Sequence, residues 1–212
     1  MEEAQQVSIL ELQKFTVCQL SDALGPTCPI ETALRPIDPE SHICGSALTV
    51  ECSPGDNLSV HQALHLANPG DVLVVSNPKN GEAALWGELM TISAQCKRLS
   101  GTIIDGSVRD PLEIRRLGYP VFCREFNPRR AAKENCGRIN VPVQIGTLSV
   151  KPGDVLVSDL SGIISIPAPM LQHTISLVSE VARKEREIKE QILSGRSIFE
   201  ILELGSCIRP TS

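Results

Sequence analysis

Aromatic side chains are scarce. One Trp, one Tyr and four Phe amount to 3% of the 212 residues, too few for the stacked-ring platform that single-stranded nucleic acid requires. Basic charge is not in excess either. Twenty Lys and Arg stand against 25 Asp and Glu, a net charge of −5, which argues against a partner read through nucleic-acid phosphates or an anionic membrane surface. No run approaches the roughly 18 apolar residues of a membrane span. The opening MEEAQQVSIL is acidic and has no apolar core of a secretory signal. The expectation is a soluble, cytoplasmic protein. Eight cysteines are present, at 18, 28, 44, 52, 96, 123, 136 and 207, without one C-x-x-C pair, so free thiols, most of them in or near the core, are expected. Also missing are a G-x-x-x-x-G-K-[ST] loop, a G-x-G-x-x-G after a strand and a G-x-S-x-G elbow. Nucleotide binding and Rossmann-type methyl transfer thereby lack their phosphate or ribose cradle, and serine-type acyl transfer lacks its nucleophile turn.

What is present is enough for a core, with 42% hydrophobic residues. Ser8-x-x-Glu11 has the form of a capping box and predicts a helix start, and a second helix is expected from about Thr16 to Leu24, stopped by Gly25-Pro26. A strand is expected from Ile43. Pro69-Gly70-Asp71 and Pro152-Gly153-Asp154 each feed a β-rich run, so one turn–strand device is used twice. Further strands are expected at Gly101 to Asp105 and Ile163 to Ile166, with helices at about 58–67, 88–99 and 111–117. A long helix spans about Pro169 to Ser194, and Ser197-x-x-Glu200 opens a terminal helix closed by Gly205. Strands and helices interleave without a linker, so residues 1–212 read as one α/β domain, its core about 16–190 and a helical extension about 191–212.

Three places are candidates for chemistry. His61 and His65 stand one helical turn apart, but Gln62 occupies the place of a zinc protease's general base, and ordinary helix histidines are the expectation. In Asp105-Gly106-Ser107-Val108-Arg109-Asp110-Pro111-Leu112-Glu113 a strand runs through a turn into a helix with Pro at its first position. Asp110 and Glu113 have capping-box spacing, which gives a purely structural reading. The same loop lies where α/β folds place their sites, and Arg109 beside Asp110 offers a carboxylate clamp and a hard oxygen ligand for Mg²⁺. Lys79 to Met90 is a polar loop entering a helix; Gly87 permits close approach, and the N–H groups of residues 87–90 are suited to an anion. A helix start packed by the lone Trp86 is the structural alternative there.

The order of Gly55-Asp56-Asn57, Pro69-Gly70-Asp71-Val72-Leu73-Val74-Val75, Trp86-Gly87-Glu88-Leu89, Asp105-Gly106-Ser107-Val108-Arg109-Asp110, Pro120-Val121-Phe122, Val141-Pro142-Val143, Gly146, Pro152-Gly153-Asp154 and Gly162-Ile163-Ile164 resembles the RraA-like family of ribonuclease-activity regulators and 4-hydroxy-4-methyl-2-oxoglutarate (HMG) aldolases. The resemblance implies an α-β-β-α sandwich of the swivelling β/β/α type with peripheral terminal helices, assembled as a homotrimer or homohexamer with sites between protomers. It implies a divalent metal, Mg²⁺ or Mn²⁺, held by Asp110 with Glu113 behind it, and a small 2-oxo acid held by Arg109 and the backbone of Gly87, Glu88, Leu89 and Met90. Glu88 corresponds to an acid beside the proton-transfer water, with Asp22 and Glu185 its partners from a neighbouring protomer. The R-D-x-x-[DE] form favours the aldolases. The alternative that the resemblance leaves is a non-enzymatic regulator binding a ribonuclease or another protein. Two departures bear on the substrate: Ser158-Asp159-Leu160-Ser161 after the second Pro-Gly-Asp, and the basic loop Pro128 to Arg138 with Arg129, Arg130 and Lys133.

Overall fold

Turn chemistry decides where the strands begin. Gly70 and Gly153 adopt φ of 88° and 82°, and the aspartate after each takes the backbone N–H three residues back, Asn68 to Asp71 at 2.8 Å and Lys151 to Asp154 at 2.9 Å. The two Pro-Gly-Asp turns are therefore one device built twice, each releasing the chain into a buried strand. The structure is a computed structural model that describes residues 2–77 and 83–204. Residues 79–82 of the expected polar loop, the closing Gly205 and Cys207 lie outside them.

The elements run α1 (Glu2–Leu12), α2 (Val17–Leu24), β1 (Arg35–Pro36), β2 (Ile43–Glu51), α3 (Leu58–Leu66) and β3 (Asp71–Ser76). Then come β4 (Ala84–Trp86), α4 (Glu88–Cys96), β5 (Gly101–Val108), α5 (Pro111–Leu117) and β6 (Val121–Phe126). The chain ends with β7 (Arg138–Ile139), β8 (Val143–Ile145), β9 (Leu148–Val150), β10 (Val155–Asp159), β11 (Gly162–Ile166), α6 (Leu171–Leu193) and α7 (Ile198–Ile201).

The main sheet has the order β1-β6-β5-β3-β2-β10-β11, parallel from β6 to β2 and antiparallel beyond it. Glu31 bridges to Ile163 on β11, and Arg35–Pro36 pairs with β6. The segment 31–36 thus spans the two edges, and the sheet nearly closes. Three apolar clusters define its layers. One packs α3, α4 and α5 on the parallel strands, a second fills the space between those strands, the β8–β9 hairpin and β10–β11, and a third packs α1, α2 and α6 on β10 and β11. Helices, sheet, sheet and helices follow one another, an α-β-β-α sandwich. Among the described residues no helix is long and apolar enough to cross a membrane.

One expected helix start and one expected capping box need correction. Ser8 does not begin a helix. It lies inside α1 on the face that carries Ile9 and Leu12 into the core, and its hydroxyl accepts from the Gln172 side chain at 2.8 Å. The capping box forms at Thr16 instead, where Thr16 Oγ1 accepts from Gln19 N–H and the Gln19 side chain accepts from Thr16 N–H, both at 3.2 Å. Ser197 caps α7 by accepting from Phe199 N–H at 3.3 Å, one position earlier than a box with Glu200 requires. Cysteines divide between the core (Cys44, Cys52, Cys123) and exposed positions (Cys18, Cys96, Cys136), with Cys28 half-buried.

Candidate active site

Strand β5 is buried along its length and ends in Arg109-Asp110. Asp110 sits at the N-cap of α5, yet its backbone is left-handed (φ 58°, ψ 43°) and its side chain makes no cap bond to that helix. Pro111 at the first position has no N–H to offer. Glu113 is turned to Arg116, 3.4 Å away, so the expected Asp110–Glu113 box does not form, and Glu113 is not drawn behind Asp110. The Asp110 carboxylate reaches 22 residues back in the chain. Its Oδ2 accepts from the Glu88 N–H of α4 at 3.2 Å and lies 3.4 Å from Arg109 Nε. A left-handed non-glycine residue costs about 1 kcal/mol, and here that conformation turns the carboxylate toward α4.

Gly87 is fitted to this arrangement. A Cβ on it would lie 2.9 Å from Arg109 Cγ and 2.9 Å from Asp110 Oδ2. The Trp86 carbonyl accepts from Arg109 N–H at 3.0 Å. The fully buried Trp86 donates its indole N–H to Thr91 Oγ1 at 2.8 Å, and Thr91 donates on to the Gly87 carbonyl at 3.1 Å. The first turn of α4 is thereby held rigidly against the β5–α5 junction. Thr91 N–H is the first donor of the α4 ladder, bonding Gly87 at 3.1 Å. The N–H groups of Leu89 and Met90 precede it at the positive end of the helix. Gly87→Ala is expected to keep the melting temperature within a few degrees while pushing Arg109 and Asp110 aside. Any activity of the site should then fall about 100-fold, measured with melting on the same sample.

Arg109, Gly87, Leu89 and Met90 line one wall of a cavity of about 170 Å³. Asn57 and His61 at the start of α3 form another, and Arg130, Ala131 and Lys133 a third. The basic loop from Pro128 to Arg138 is thus part of the site. It is tied down by Asp56, 1% exposed, whose Oδ1 accepts from Leu58 N–H at 2.8 Å and whose Oδ2 accepts from Glu134 and Asn135 N–H at 2.7 and 2.9 Å. Asn57 N–H to Ala132 at 3.0 Å and Ala132 N–H to Gly55 at 2.9 Å complete the tie. Burial alone would raise the Asp56 carboxyl, but these backbone donors outweigh it and hold it below the ordinary carboxylate range. Its contribution to stability is therefore present above that range and lost as pH falls through the lowered value. Asp56→Asn, with one acceptor oxygen in place of two, is expected to cost about 2 kcal/mol at pH 7. In urea titrations the gap to wild type should shrink below about pH 4, and tryptic cleavage at Arg129, Arg130 and Lys133 should accelerate.

His61 is held toward its neutral form by burial and by the charge of Lys133. It and His65 are helix residues as expected, but His61 faces the cavity. Arg109 also borders a second depression of about 250 Å³, which Asp110, Phe126 and Asn127 line with it. Among the described residues no group of three or more His, Cys, Asp or Glu is placed to hold a metal; Asp110 is the carboxylate that the β5–α5 junction presents. Asp105, at the head of the same sequence stretch, is structural: it pairs with Arg124 and accepts Gly146 N–H at 2.7 Å, anchoring the β8–β9 hairpin.

Asp22 and Glu185 are not near Arg109. They belong to the opposite helical layer, on α2 and α6, where Glu185 accepts from Gln19 at 2.7 Å, one turn from Asp22. Two β layers separate them from α4 and α5. In the sequence Asp56 and Asn57 stand out only as part of the Gly-Asp-Asn motif. An asparagine at a helix start gives no further signal, because its partners lie 28 and 33 residues away.

The profile of the RraA-like family, described as Aldolase/RraA, matches residues 17–165. The chain belongs to the RraA-like family. A Halalkalibacterium halodurans protein provisionally named 4-hydroxy-4-methyl-2-oxoglutarate aldolase is 31% identical over 189 residues, 87% of this chain and 90% of that one. Among solved structures, an uncharacterized protein from Pseudomonas syringae superposes with a TM-score of 0.82 at 28% identity, over 92% of both chains. The RNA-processing inhibitor RraA from Thermus thermophilis gives 0.66 at 27% identity, over 72% of this chain and 93% of that one. As an RraA-like protein the chain shares the fold of relatives named for an aldolase and for an inhibitor of RNA processing.

Proposed function

We propose that this RraA-like protein is a divalent-metal-dependent carbon–carbon lyase that cleaves 4-hydroxy-2-oxo acids such as HMG and decarboxylates oxaloacetate. The observation that carries the reading is Asp110: at a helix start, in a left-handed conformation, it leaves its own helix uncapped and stands with Arg109 over Gly87. Relatives named for HMG aldolase support the reaction class.

The donor set suits a hard cation that keeps most of its water. Mg²⁺ or Mn²⁺ is commonly bound by one or two carboxylates and several waters, and Asp110 supplies one half-exposed carboxylate (37%), which accepts from the backbone N–H of Glu88 at the first position of α4. When bound, such an ion supplies Lewis-acid polarisation of a 2-oxo acid. The chain's own groups supply the rest. The N–H groups of Leu89 and Met90 at the positive end of α4 receive the substrate carboxylate. Arg109, fixed by the Trp86 carbonyl, places its guanidinium beside the 2-oxo oxygen, where negative charge grows as the C3–C4 bond breaks. Arg130 and Lys133 add positive charge across the cavity. The hydroxyl proton leaves to a water held by carboxylates, Glu88 with Asp22 and Glu185 of a neighbouring copy. Because Asp22 and Glu185 lie in the opposite helical layer of their own protomer, only a second copy can deliver them, which makes a trimer or hexamer part of the reading.

The test is pyruvate release from oxaloacetate and from HMG, with Mg²⁺ and with a chelator. Chelator-sensitive release supports the lyase. No turnover of either acid, with a ribonuclease captured and inhibited instead, would favour a regulator like the Thermus protein.

A further inference from the structure

Cleavage of the C3–C4 bond leaves C3 as the carbon end of an enolate, and pyruvate forms only when C3 gains a proton. The carboxylate-held water takes up the hydroxyl proton; C3 needs a donor of its own. Among the described residues the cavity wall carries no Asp or Glu, and four side chains that hold a proton as cations: His61, Arg109, Arg130 and Lys133. Guanidinium and ammonium groups ordinarily keep their protons to about pH 10 and beyond, whereas an imidazole gains and loses one near neutrality. His61 is therefore the lining group suited to pass a proton in both directions.

Its place suits the task. The His61 N–H donates to the Asn57 carbonyl at 3.1 Å, so the residue stands one turn into a formed helix, and it is half-buried, open to solvent on one side. With the substrate carboxylate on the α4 N–H groups and the 2-oxo oxygen beside Arg109, C3 is the next atom and points away from that wall. In a space of about 170 Å³ it meets an adjoining wall at once, and α3 carries His61 there. The charged groups that line the cavity with the ring are Lys133, Arg130 and Arg109. Burial and the Lys133 charge favour the neutral imidazole, so a protonated ring gives its proton up readily. A bound 2-oxo acid brings negative charge that offsets these cations and lets the ring load a proton from solvent. We propose that His61 is a catalytic residue of the lyase, the acid that protonates C3 of the pyruvate enolate. The inference rests on the lyase reading and adds a group which that reading does not use. In the forward step an imidazolium N–H bond breaks, the enolate's electron pair forms the C3–H bond, and C2 regains its carbonyl. The neutral ring then recovers a proton from solvent. In reverse, the neutral ring takes a proton from the methyl group of pyruvate.

Hydrogen exchange at pyruvate tests this apart from bond cleavage. Wild type with Mg²⁺ in D₂O is expected to exchange the methyl protons of pyruvate for deuterium, followed by proton NMR, with no C–C bond broken. In His61→Gln, a substitution that a helix accommodates well, this exchange is expected to fall about 100-fold or more, the usual share of one acid–base group. Carbon dioxide release from oxaloacetate should fall at least about tenfold less, since that bond breaks before C3 is protonated. His61→Asn is read in the same way and replaces the glutamine variant if that does not fold. Exchange at the wild-type level in the variant overturns the assignment. Equal losses of exchange and of carbon dioxide release would mean that His61 only shapes the cavity, and overturn it too. A wild type that releases carbon dioxide but exchanges no methyl protons leaves the lyase standing and overturns the assignment. A wild type inactive on both removes the lyase reading, and this inference with it.

Discussion

Asp110→Asn is expected to melt within about 3 °C of wild type and to lose chelator-sensitive activity by a factor on the order of 10³. Asparagine is isosteric, tolerates a left-handed backbone and keeps an oxygen for the Glu88 N–H now 3.2 Å away. What it loses is charge. Asp110→Gly separates strain from function further. Glycine relieves a left-handed conformation worth about 1 kcal/mol. It also forfeits the bond to Glu88 and a half-exposed pair with Arg109, together about 1 kcal/mol. The two effects cancel, so a folded protein of near wild-type stability with no activity is the expected result. Direct Mn²⁺ binding, followed by electron paramagnetic resonance, should weaken in both variants. Were Asp110 merely a positioning group for α4, Asp110→Asn would keep both its activity and its Mn²⁺.

Local chemistry made much of the fold legible. The Pro-Gly-Asp turns and the start of α2 before Val17 follow from side-chain–backbone bonds within three residues, the stop of α2 from Gly25 at φ 82°, and α5 falls on its expected 111–117. Spacing failed where two partners could satisfy the same rule. Ser8-x-x-Glu11 and Asp110-x-x-Glu113 both fit a capping box, yet tertiary burial claimed Ser8 and a left-handed backbone turned Asp110 away. Strand β6 and the short β4, β7, β8 and β9 went unread as strands, since two to six residues carry little periodicity of their own. In the site, Gly87, Arg109 and Asp110 were found because they adjoin helix starts. Asn57 and the Asp56-tied loop were not, because contacts 28 to 79 residues apart bring them there. The basic loop was seen, but only its tie to Asp56 gives it a place.

Mixing two inactive variants should restore activity. Arg109→Ala removes the guanidinium beside Gly87, and Glu185→Ala removes the acid that α6 carries on the opposite helical layer. Within one protomer neither residue can serve the other's site, since two packed sheets about 10 Å apart lie between their layers. If each site joins Arg109 of one copy to Glu185 of the next, a ring assembled from equal amounts of both variants contains sites with both residues native. Random assembly makes these about one quarter of all sites, and another quarter lack both residues. Co-expression with two different tags and tandem purification yields hybrids whose composition native mass spectrometry verifies. In the purified hybrids, from which the homo-oligomers of each parent are removed, pyruvate release per site should then recover to about a third of the wild-type rate for a trimer and slightly over a quarter for a hexamer, from parents each reduced at least about 100-fold. A double variant carrying both changes in one chain, co-expressed with wild type, is the control: its hybrids should lose activity in proportion to the sites it enters from either side. Hybrids of verified composition that stay at the level of their parents would place Glu185 outside the site.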